Sequence, residues 1–189
     1  KNRFFLGVLR SNCLSGRIGV RFLEISASTF CMARSLFLGL GSNIGNLKKN
    51  LELALKKLAL NIHIIKVSHF YKTAPIGPMQ EDFLNCVLQG TTFLTPEELL
   101  FFVKEIEFIS GRTSSFFWGP RILDIDVLMV EDIFYQSSQL ILPHPEMIKR
   151  RFVLEPLFEI IGNIFLPQKK TLLFYLNQCL EQPCEKVDF

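Results

Sequence analysis

The chain has 189 residues, of which 49% are hydrophobic, 12% aromatic and 21% charged, and its formal net charge is +3. This size and apolar fraction are typical of one domain with a real core, and they exclude a disordered chain. No apolar run approaches the roughly 18 residues that a membrane-spanning helix needs, so we expect no membrane partner. Five cysteines without a C-x-x-C pair predict reduced thiols and no structural zinc site.

Residues 1–34 differ in charge from the rest of the chain. They contain six basic residues and one acidic residue and carry +5, whereas residues 35–189 contain 15 basic and 17 acidic residues and carry −2. We interpret residues 1–34 as a basic extension and residues 35–189 as the domain. The extension could be dispensable sequence upstream of Met32, a mitochondrial transit segment or the end of a preceding domain. We expect a cytoplasmic protein, or a mitochondrial one if the transit interpretation holds.

The first predicted elements are a strand, a helix and two further strands. Ser35–Leu40 is a short apolar run that predicts a buried strand. Apolar residues recur at helical spacing over Leu47–Leu58 and predict a helix. β-branched and aromatic residues predict a strand over Ile62–Tyr71, and another follows over Phe83–Phe93, with an irregularity at Gly90.

The second half of the chain continues with a helix, a strand and C-terminal helices. Thr95–Glu98 has the residues of a capping box and predicts a helix start, and Gly111 is placed to end that helix. A strand is predicted over Ile122–Val130, and helices are predicted after Arg151 and around Thr171–Glu181. The resulting β-α-β-β-α-β order predicts the α+β class, with a ferredoxin-like antiparallel sheet and helices packed on it.

A glycine-rich run lies directly after the first predicted strand. Gly39-Leu40-Gly41-Ser42-Asn43-Ile44-Gly45 matches neither the dinucleotide fingerprint nor the Walker A loop, because the spacing differs and no G-K-[ST] follows. On its own the run predicts a tight turn from strand to helix. Any nucleotide bound here must therefore be held by other residues.

The pair Asp124 and Asp126 is the most informative feature of the sequence. Side chains two residues apart in a strand share one face, so both carboxylates project together. The alternate side chains would form an apolar face toward the core: Leu123, Ile125, Val127 and Met129. Two carboxylates this close repel each other, and Mg²⁺ offsets that repulsion with hard oxygen ligands. The alternative is a solvent-facing strand edge with two ordinary acids.

Arginines recur beside the turns that flank this pair. Arg121 precedes Asp124 by three residues, Arg112 lies on the other side of a short loop, and Arg150 follows Pro143-His144-Pro145. Guanidinium groups placed this way suit a polyphosphate better than a nucleic acid, and the domain is slightly acidic. We therefore expect no nucleic-acid partner. Each arginine alone is equally compatible with a solvated surface position.

Aromatic and amide side chains could hold a flat heterocycle. Phe83 and Phe152 could lie on the two faces of a ring, and Asn85 could read its edge through the amide donor and acceptor. In a chain with 19 Phe, however, a position in the core explains any one of them as well.

Several motifs match one enzyme family in the same order. They are Leu40–Asn43, Phe70–Pro78, Phe83–Asn85, Glu107–Arg112, Trp118–Asp126, Pro143–Pro145 and Arg150–Leu157. The string W-G-P-R-x-L-D-x-D within them is highly specific. From about Leu36 to Leu166 the chain therefore resembles the 6-hydroxymethyl-7,8-dihydropterin pyrophosphokinase family of folate biosynthesis.

The resemblance implies a fold, a reaction and a set of site residues. The fold would be a ferredoxin-like sheet with helices on both faces. The reaction would transfer the pyrophosphoryl group of ATP to the hydroxymethyl oxygen of the pterin and release AMP. The implied catalytic residues are Arg112, Arg121, Asp124 and Asp126, with two Mg²⁺ ions on the two aspartates. The implied pterin pocket contains Thr73, Ala74, Ile76, Phe83, Asn85, Trp118 and Phe152. The implied ATP site contains Glu107, Arg112, Arg121, Val127, His144, Pro145 and Arg150.

One departure from the family pattern keeps alternatives open. Residues 113–117 contain no basic residue, where family members often carry extra Arg or Lys. A catalytically weak relative inside a fused folate enzyme is therefore one alternative, and fusion to other folate-pathway enzymes is left open in either case. A module that binds a nucleotide or RNA without catalysis is the other, although an acidic domain without the aromatic RNP-type string argues against it.

Overall fold

The computed structural model of the chain describes residues 33–77, 79–111 and 119–188. The basic extension therefore lies outside the described residues, except for its last two. The elements in chain order are β1 (Arg34–Ser42), α1 (Leu47–Leu58), β2 (His63–Val67), β3 (Phe70–Thr73), β4 (Phe83–Thr92), α2 (Pro96–Ile109), β5 (Asp124–Val130), β6 (Tyr135–Gln136), β7 (Ile141–Leu142), a 3-10 turn (Met147–Lys149), α3 (Arg151–Ile161), α4 (Leu172–Leu176) and β8 (Cys184–Val187). Within the described ranges, no helix is long and apolar enough to cross a membrane.

Within the described residues, six strands form one antiparallel sheet in the order β5-β1-β4-β3-β8, and β2 pairs with the second half of β4. Strand β1 lies between β4 and β5, so that Gly39 is opposite both Val87 and Asp126. This order is that of the split β-α-β motif. Helix α1 connects β1 to β2 and α2 connects β4 to β5, and in each case another strand lies between the two connected strands. The predicted α+β, ferredoxin-like sheet is confirmed.

Helices cover both faces of the sheet. On one face, α1 and α2 pack against Leu36, Leu38 and Leu40 of β1, which are at most 2% exposed. On the other face, α3 and α4 form a second core with Val87 and Leu128. The caps follow the sequence signals, since Thr95 and Glu98 make the predicted capping box at the start of α2.

The strand predicted over Ile62–Tyr71 is interrupted. The segment forms two strands, β2 and β3, and the strand pairing is interrupted at Ser68. The Ser68 hydroxyl there accepts a hydrogen bond from the backbone N–H of Val87. The irregularity predicted at Gly90 lies in its partner, where the register of β2 shifts between Ile64 and Lys66. A Cβ at Gly90 would lie 2.6 Å from Ile62 Cγ2, so glycine allows β2 to approach β4.

The predicted apolar face of β5 is partly wrong. Val127 is opposite Leu38 and Met129 is opposite Phe37, so one extra residue, Leu128, bulges between them. Leu123, Ile125 and Val127 face the first core as predicted, whereas the bulge turns Met129 to the second core beside Leu128. A β-bulge depends on the neighbouring strand, and strict alternation along one strand does not reveal it.

The C-terminal region also differs from the prediction. Helix α4 ends at Leu176, before the predicted limit at Glu181. Strand β8 was not predicted, because Cys184–Val187 has no apolar alternation of its own. It forms by pairing with β3 along four residues. It thereby covers the outer side of β3 and becomes the last strand of the sheet.

Candidate active site

A cavity of about 260 Å³ opens at one end of the sheet, where several strands begin or end. Because the sheet is antiparallel, the end of β1, the end of β3 and the starts of β4 and β5 meet there, together with the start of α3. The fold thus brings together residues that are far apart in sequence. The predicted site residues that line the cavity are Thr73, Ala74, Ile76, Phe83, Asn85, Arg121, Asp124, Asp126, His144, Arg150 and Phe152.

The glycine-rich run forms part of the cavity wall. Gly39 and Gly41 both line it, on the central strand β1. A Cβ at Gly41 would lie 2.7 Å from Asn85 Oδ1. Glycine at position 41 is therefore explained by its close approach to the Asn85 amide. A phosphate-binding loop is not needed to explain it.

The predicted heterocycle pocket is built around Asn85. This side chain is only 6% exposed, and its Nδ2 donates a 2.7 Å hydrogen bond to Thr73 Oγ1, which joins β4 to β3. Phe83 at the start of β4 and Phe152 at the start of α3 line the same cavity. Two aromatic side chains and a fixed amide suit a flat, polar-edged ring.

The two carboxylates lie on one side of β5, as predicted. Asp124 Oδ2 is 2.7 Å from Arg121 Nη1, and Asp126 Oδ2 is 3.3 Å from Arg150 Nη1. The recessed position of Asp126 raises the pKa of its carboxyl, and the neighbouring charge of Asp124 raises it further. The site therefore favours additional positive charge. Arg150 also lies over the ring of Phe152, with the guanidinium carbon 5.8 Å from its centre.

The carboxylate pair fits a hard divalent cation that is shared with a substrate. In the part of the chain that the structure describes, no group of three or more His, Cys, Asp or Glu side chains could hold a metal ion by itself. Two carboxylates alone leave most of a Mg²⁺ shell to water and substrate oxygens, which is the usual arrangement for Mg²⁺ with phosphates.

His144 is held as a hydrogen-bond donor. Its backbone N–H donates to the carbonyl of Leu128 at 2.7 Å, and its Nδ1 accepts from the backbone N–H of Glu146 at 3.2 Å. Burial lowers the pKa of the His144 imidazole. Because Nδ1 accepts, the proton of the neutral ring lies on Nε2, which can donate to an anionic oxygen.

Some predicted residues lie elsewhere. Val127 belongs to the first core and is 4% exposed, and Pro145 is exposed beside His144, outside the cavity lining. Glu107, which is 1% exposed, accepts a 2.7 Å hydrogen bond from the backbone N–H of Ile125 and thereby fixes β5 between the two aspartates. Their predicted contacts with ATP stay predictions. Arg112, Trp118 and the loop 113–117 lie outside the described residues.

Three further polar residues belong to the site and were missed by sequence reasoning. Asn43 accepts from the backbone N–H of Arg121 at 2.7 Å and donates to Gln80 Oε1 at 3.0 Å, so it holds two loops at the end of β1. Gln80 and Lys104 line the cavity. Lys104 donates to Glu107 Oε1 at 3.0 Å, and that i,i+3 spacing on α2 is the sequence signal that could have found it.

Comparison with known proteins identifies one enzyme family. The family model of 7,8-dihydro-6-hydroxymethylpterin-pyrophosphokinase (HPPK) matches residues 37–162. The 2-amino-4-hydroxy-6-hydroxymethyldihydropteridine pyrophosphokinase of Haemophilus influenzae is 35% identical over 155 residues, which are 80% of this chain and 97% of that protein. The bifunctional protein FolKE of Lactococcus lactis is 41% identical over 135 residues, which are 70% of this chain and 39% of that protein.

A solved structure has the same fold. The crystal structure of Plasmodium falciparum HPPK-DHPS matches with a TM-score of 0.67 at 17% identity, over 80% of this chain and 46% of that one. The chain thus spans less than half the length of these bifunctional proteins. The family model covers well over half of this chain, and the single-function relative is covered almost completely. This chain therefore belongs to the 7,8-dihydro-6-hydroxymethylpterin-pyrophosphokinase family.

Proposed function

We propose that the chain transfers the pyrophosphoryl group of ATP to the hydroxymethyl oxygen of 6-hydroxymethyl-7,8-dihydropterin, giving AMP and the pterin diphosphate, in folate biosynthesis. One observation carries this proposal: the carboxylate pair and the aromatic–amide pocket share one cavity. A site with only the carboxylates would suit many phosphate compounds. The adjacent pocket restricts the acceptor to a flat ring with hydrogen-bonding edges.

The pterin would lie between the rings of Phe83 and Phe152. Asn85 can address both donors and acceptors on the pterin edge, since its amide carries both kinds of group. The Thr73 hydroxyl holds that amide in one orientation. Ala74 and Ile76 would complete the apolar wall of the pocket.

Asp124 and Asp126 would hold two Mg²⁺ ions between the protein and the triphosphate. When bound, these ions would neutralise the phosphate charge and favour displacement at phosphorus. Arg121 and Arg150 now pair with the carboxylates and could turn to phosphate oxygens when the ligands of the aspartates change. Both guanidinium groups would therefore exchange their carboxylate partners for phosphate oxygens when the substrate binds.

The chain's own residues would act mainly by positioning. The hydroxymethyl oxygen attacks the β-phosphorus of ATP, the bond from that phosphorus to the α,β-bridging oxygen breaks, and AMP leaves with the electron pair. His144 Nε2–H can donate to a phosphate oxygen. An aspartate of the pair would orient the hydroxyl or accept its proton. Glu107 holds the strand that carries both carboxylates.

The remaining ATP contacts and the cellular context are part of the same proposal. From the family resemblance, Arg112, Val127 and Pro145 would lie around ATP, and Trp118 would close over the pterin. The bifunctional relatives support a protein that works beside or is fused to other folate-pathway enzymes. A cytoplasmic location, or a mitochondrial one if residues 1–34 are a transit segment, stays a prediction.

Product analysis with omitted components tests the proposal. We expect AMP release only when ATP, Mg²⁺ and 6-hydroxymethyl-7,8-dihydropterin are all present, in a one-to-one ratio to the pterin consumed. ATP that is hydrolysed at the same rate without the pterin would contradict it. A protein that binds both substrates at saturating Mg²⁺ but releases no AMP would instead identify a binding module.

A further inference from the structure

We propose that Glu159, which lies outside the cavity lining, is a positioning residue for the pterin pocket. The inference rests on the proposed function, because it concerns the pocket assigned there to the pterin. Glu159 lies on α3, seven residues after Phe152, and therefore on the same side of that helix. The carboxylate joins this helix to the edge of the sheet that carries Thr73.

The Glu159 carboxylate contacts several hydrogen-bond donors near β3 and β8, at this edge of the sheet. Glu159 Oε2 accepts from the Tyr71 hydroxyl at 2.9 Å and from the backbone N–H of His69 at 3.1 Å. The His69 ring contacts Oε1 through Nδ1, and Lys186 Nζ of β8 lies 3.8 Å from the same oxygen. The group thus fastens α3 to the break between β2 and β3, to β3 and to β8.

The contact with Tyr71 leads directly to the pocket. Tyr71 is opposite Asn85 in the sheet and, two residues along β3, shares its face with Thr73. Tyr71 is 6% and Thr73 is 4% exposed. Strand β3 pairs with β4 over residues 71–73 and with the short strand β8 over residues 70–73, so few backbone pairs fix its position. The anchor at Glu159 therefore helps to set where Thr73 holds the Asn85 amide.

The other end of α3 has a separate attachment. Arg151 Nη1 donates to the carbonyls of Leu180 at 2.8 Å and Gln182 at 3.1 Å, and the Arg151 backbone N–H donates to Gln182 Oε1 at 2.8 Å. These bonds hold the helix start, where Arg150 lies, without help from Glu159. Loss of Glu159 should therefore move β3 and the Thr73–Asn85 side of the pterin pocket more than Phe152 or the phosphate side of the cavity.

The charge state supports a permanent anchor. Burial alone would raise the pKa of Glu159, but hydrogen bonds from His69 and Tyr71 outweigh it and lower the pKa. Burial and the hydrogen bond to Glu159 raise the pKa of Tyr71. At neutral pH the carboxylate is therefore charged and the hydroxyl remains a donor.

The test uses the full chain with Glu159→Gln and two equilibrium measurements. The first is the dissociation constant of 6-hydroxymethylpterin, followed by its fluorescence, and the second is that of α,β-methylene-ATP with Mg²⁺, by calorimetry. Because charge-assisted hydrogen bonds are lost, we expect the pterin constant to rise about tenfold and the nucleotide constant to change less than about twofold.

Glu155→Gln is the matched control. Glu155 lies one turn earlier on α3 and pairs with Arg151 of the same helix at 3.0 Å, so we expect both constants to stay within about twofold. Tyr71→Phe removes a single hydroxyl and is the milder variant. Its effect on pterin binding should not add fully to that of Glu159→Gln, because both changes act on the same hydrogen bond between Tyr71 and Glu159.

The outcomes separate this inference from the proposed function. An unchanged pterin constant for Glu159→Gln would overturn the positioning role alone, and so would an equal rise of both constants, which indicates general loosening. Full additivity of the two variants would also overturn it. A wild-type protein that does not bind the pterin would contradict the proposed function, and the inference with it.

Discussion

Asp124 and Asp126 place two negative charges on one side of a strand whose other side chains are apolar. We expect Asp124→Asn and Asp126→Asn each to lower the rate of AMP formation by about 10²- to 10³-fold, because each would remove a ligand of the Mg²⁺ ions that we propose to neutralise the phosphate charge. Steady-state AMP release over a Mg²⁺ titration measures this. Asp132→Asn is the control, since Asp132 is exposed on a turn at φ 56°, which Asn tolerates. A full rate for either site variant would contradict the assignment.

Asn85 tests the acceptor side of the same cavity. Its amide is 6% exposed and fixed by Thr73. We expect Asn85→Ala to raise KM for the pterin by about 10- to 100-fold with KM for ATP little changed, because buried ring-edge hydrogen bonds are lost. Initial rates with each substrate varied in turn distinguish the two constants. Asn61→Ala, on the exposed turn after α1, should change neither, and a selective rise for ATP would disprove the pocket assignment.

At the scale of elements, the bond between α3 and β3 predicts an acid dependence of stability. The pKa of Glu159 is lower in the folded protein than its unfolded value of about 4.3, so its contribution to stability is present above that pH and is lost as the pH falls. The difference in unfolding free energy between wild type and Glu159→Gln should therefore be largest at pH 7 and shrink below about pH 4. Urea unfolding at both pH values measures it, and a constant difference would refute the anchor.

The elements also show how far sequence reasoning reaches. Helices α1 and α2 and strands β1, β4 and β5 were predicted because each carries its own periodicity or cap, as at Thr95. The bulge at Leu128, the break at Ser68 and strand β8 were not predicted, because each is decided by the strand alongside. The site motifs were found by their order, whereas Lys104 belongs to none of these motifs and was missed.

At the scale of the whole molecule, the excess of basic residues and the cavity residues lie in different parts of the sequence. The cavity-lining residues lie between Gly39 and Val153, and the family match begins at residue 37, whereas most of the basic excess lies before both. We expect a chain that starts at Met32 to keep kcat/KM within about twofold, because it retains every described cavity residue. Side-by-side kinetics of the two lengths measure this. A loss of more than about tenfold would show that the extension takes part in catalysis.

The identity of the transferred group tests the central claim most directly. Phosphorus NMR of the products after complete turnover, with ATP, Mg²⁺ and 6-hydroxymethyl-7,8-dihydropterin, distinguishes one transferred phosphorus from two. Because the proposed attack is at the β-phosphorus, the account predicts AMP and a pterin with two coupled phosphorus signals in equal amounts. ADP with a singly phosphorylated pterin, or AMP with free pyrophosphate and unmodified pterin, would contradict it.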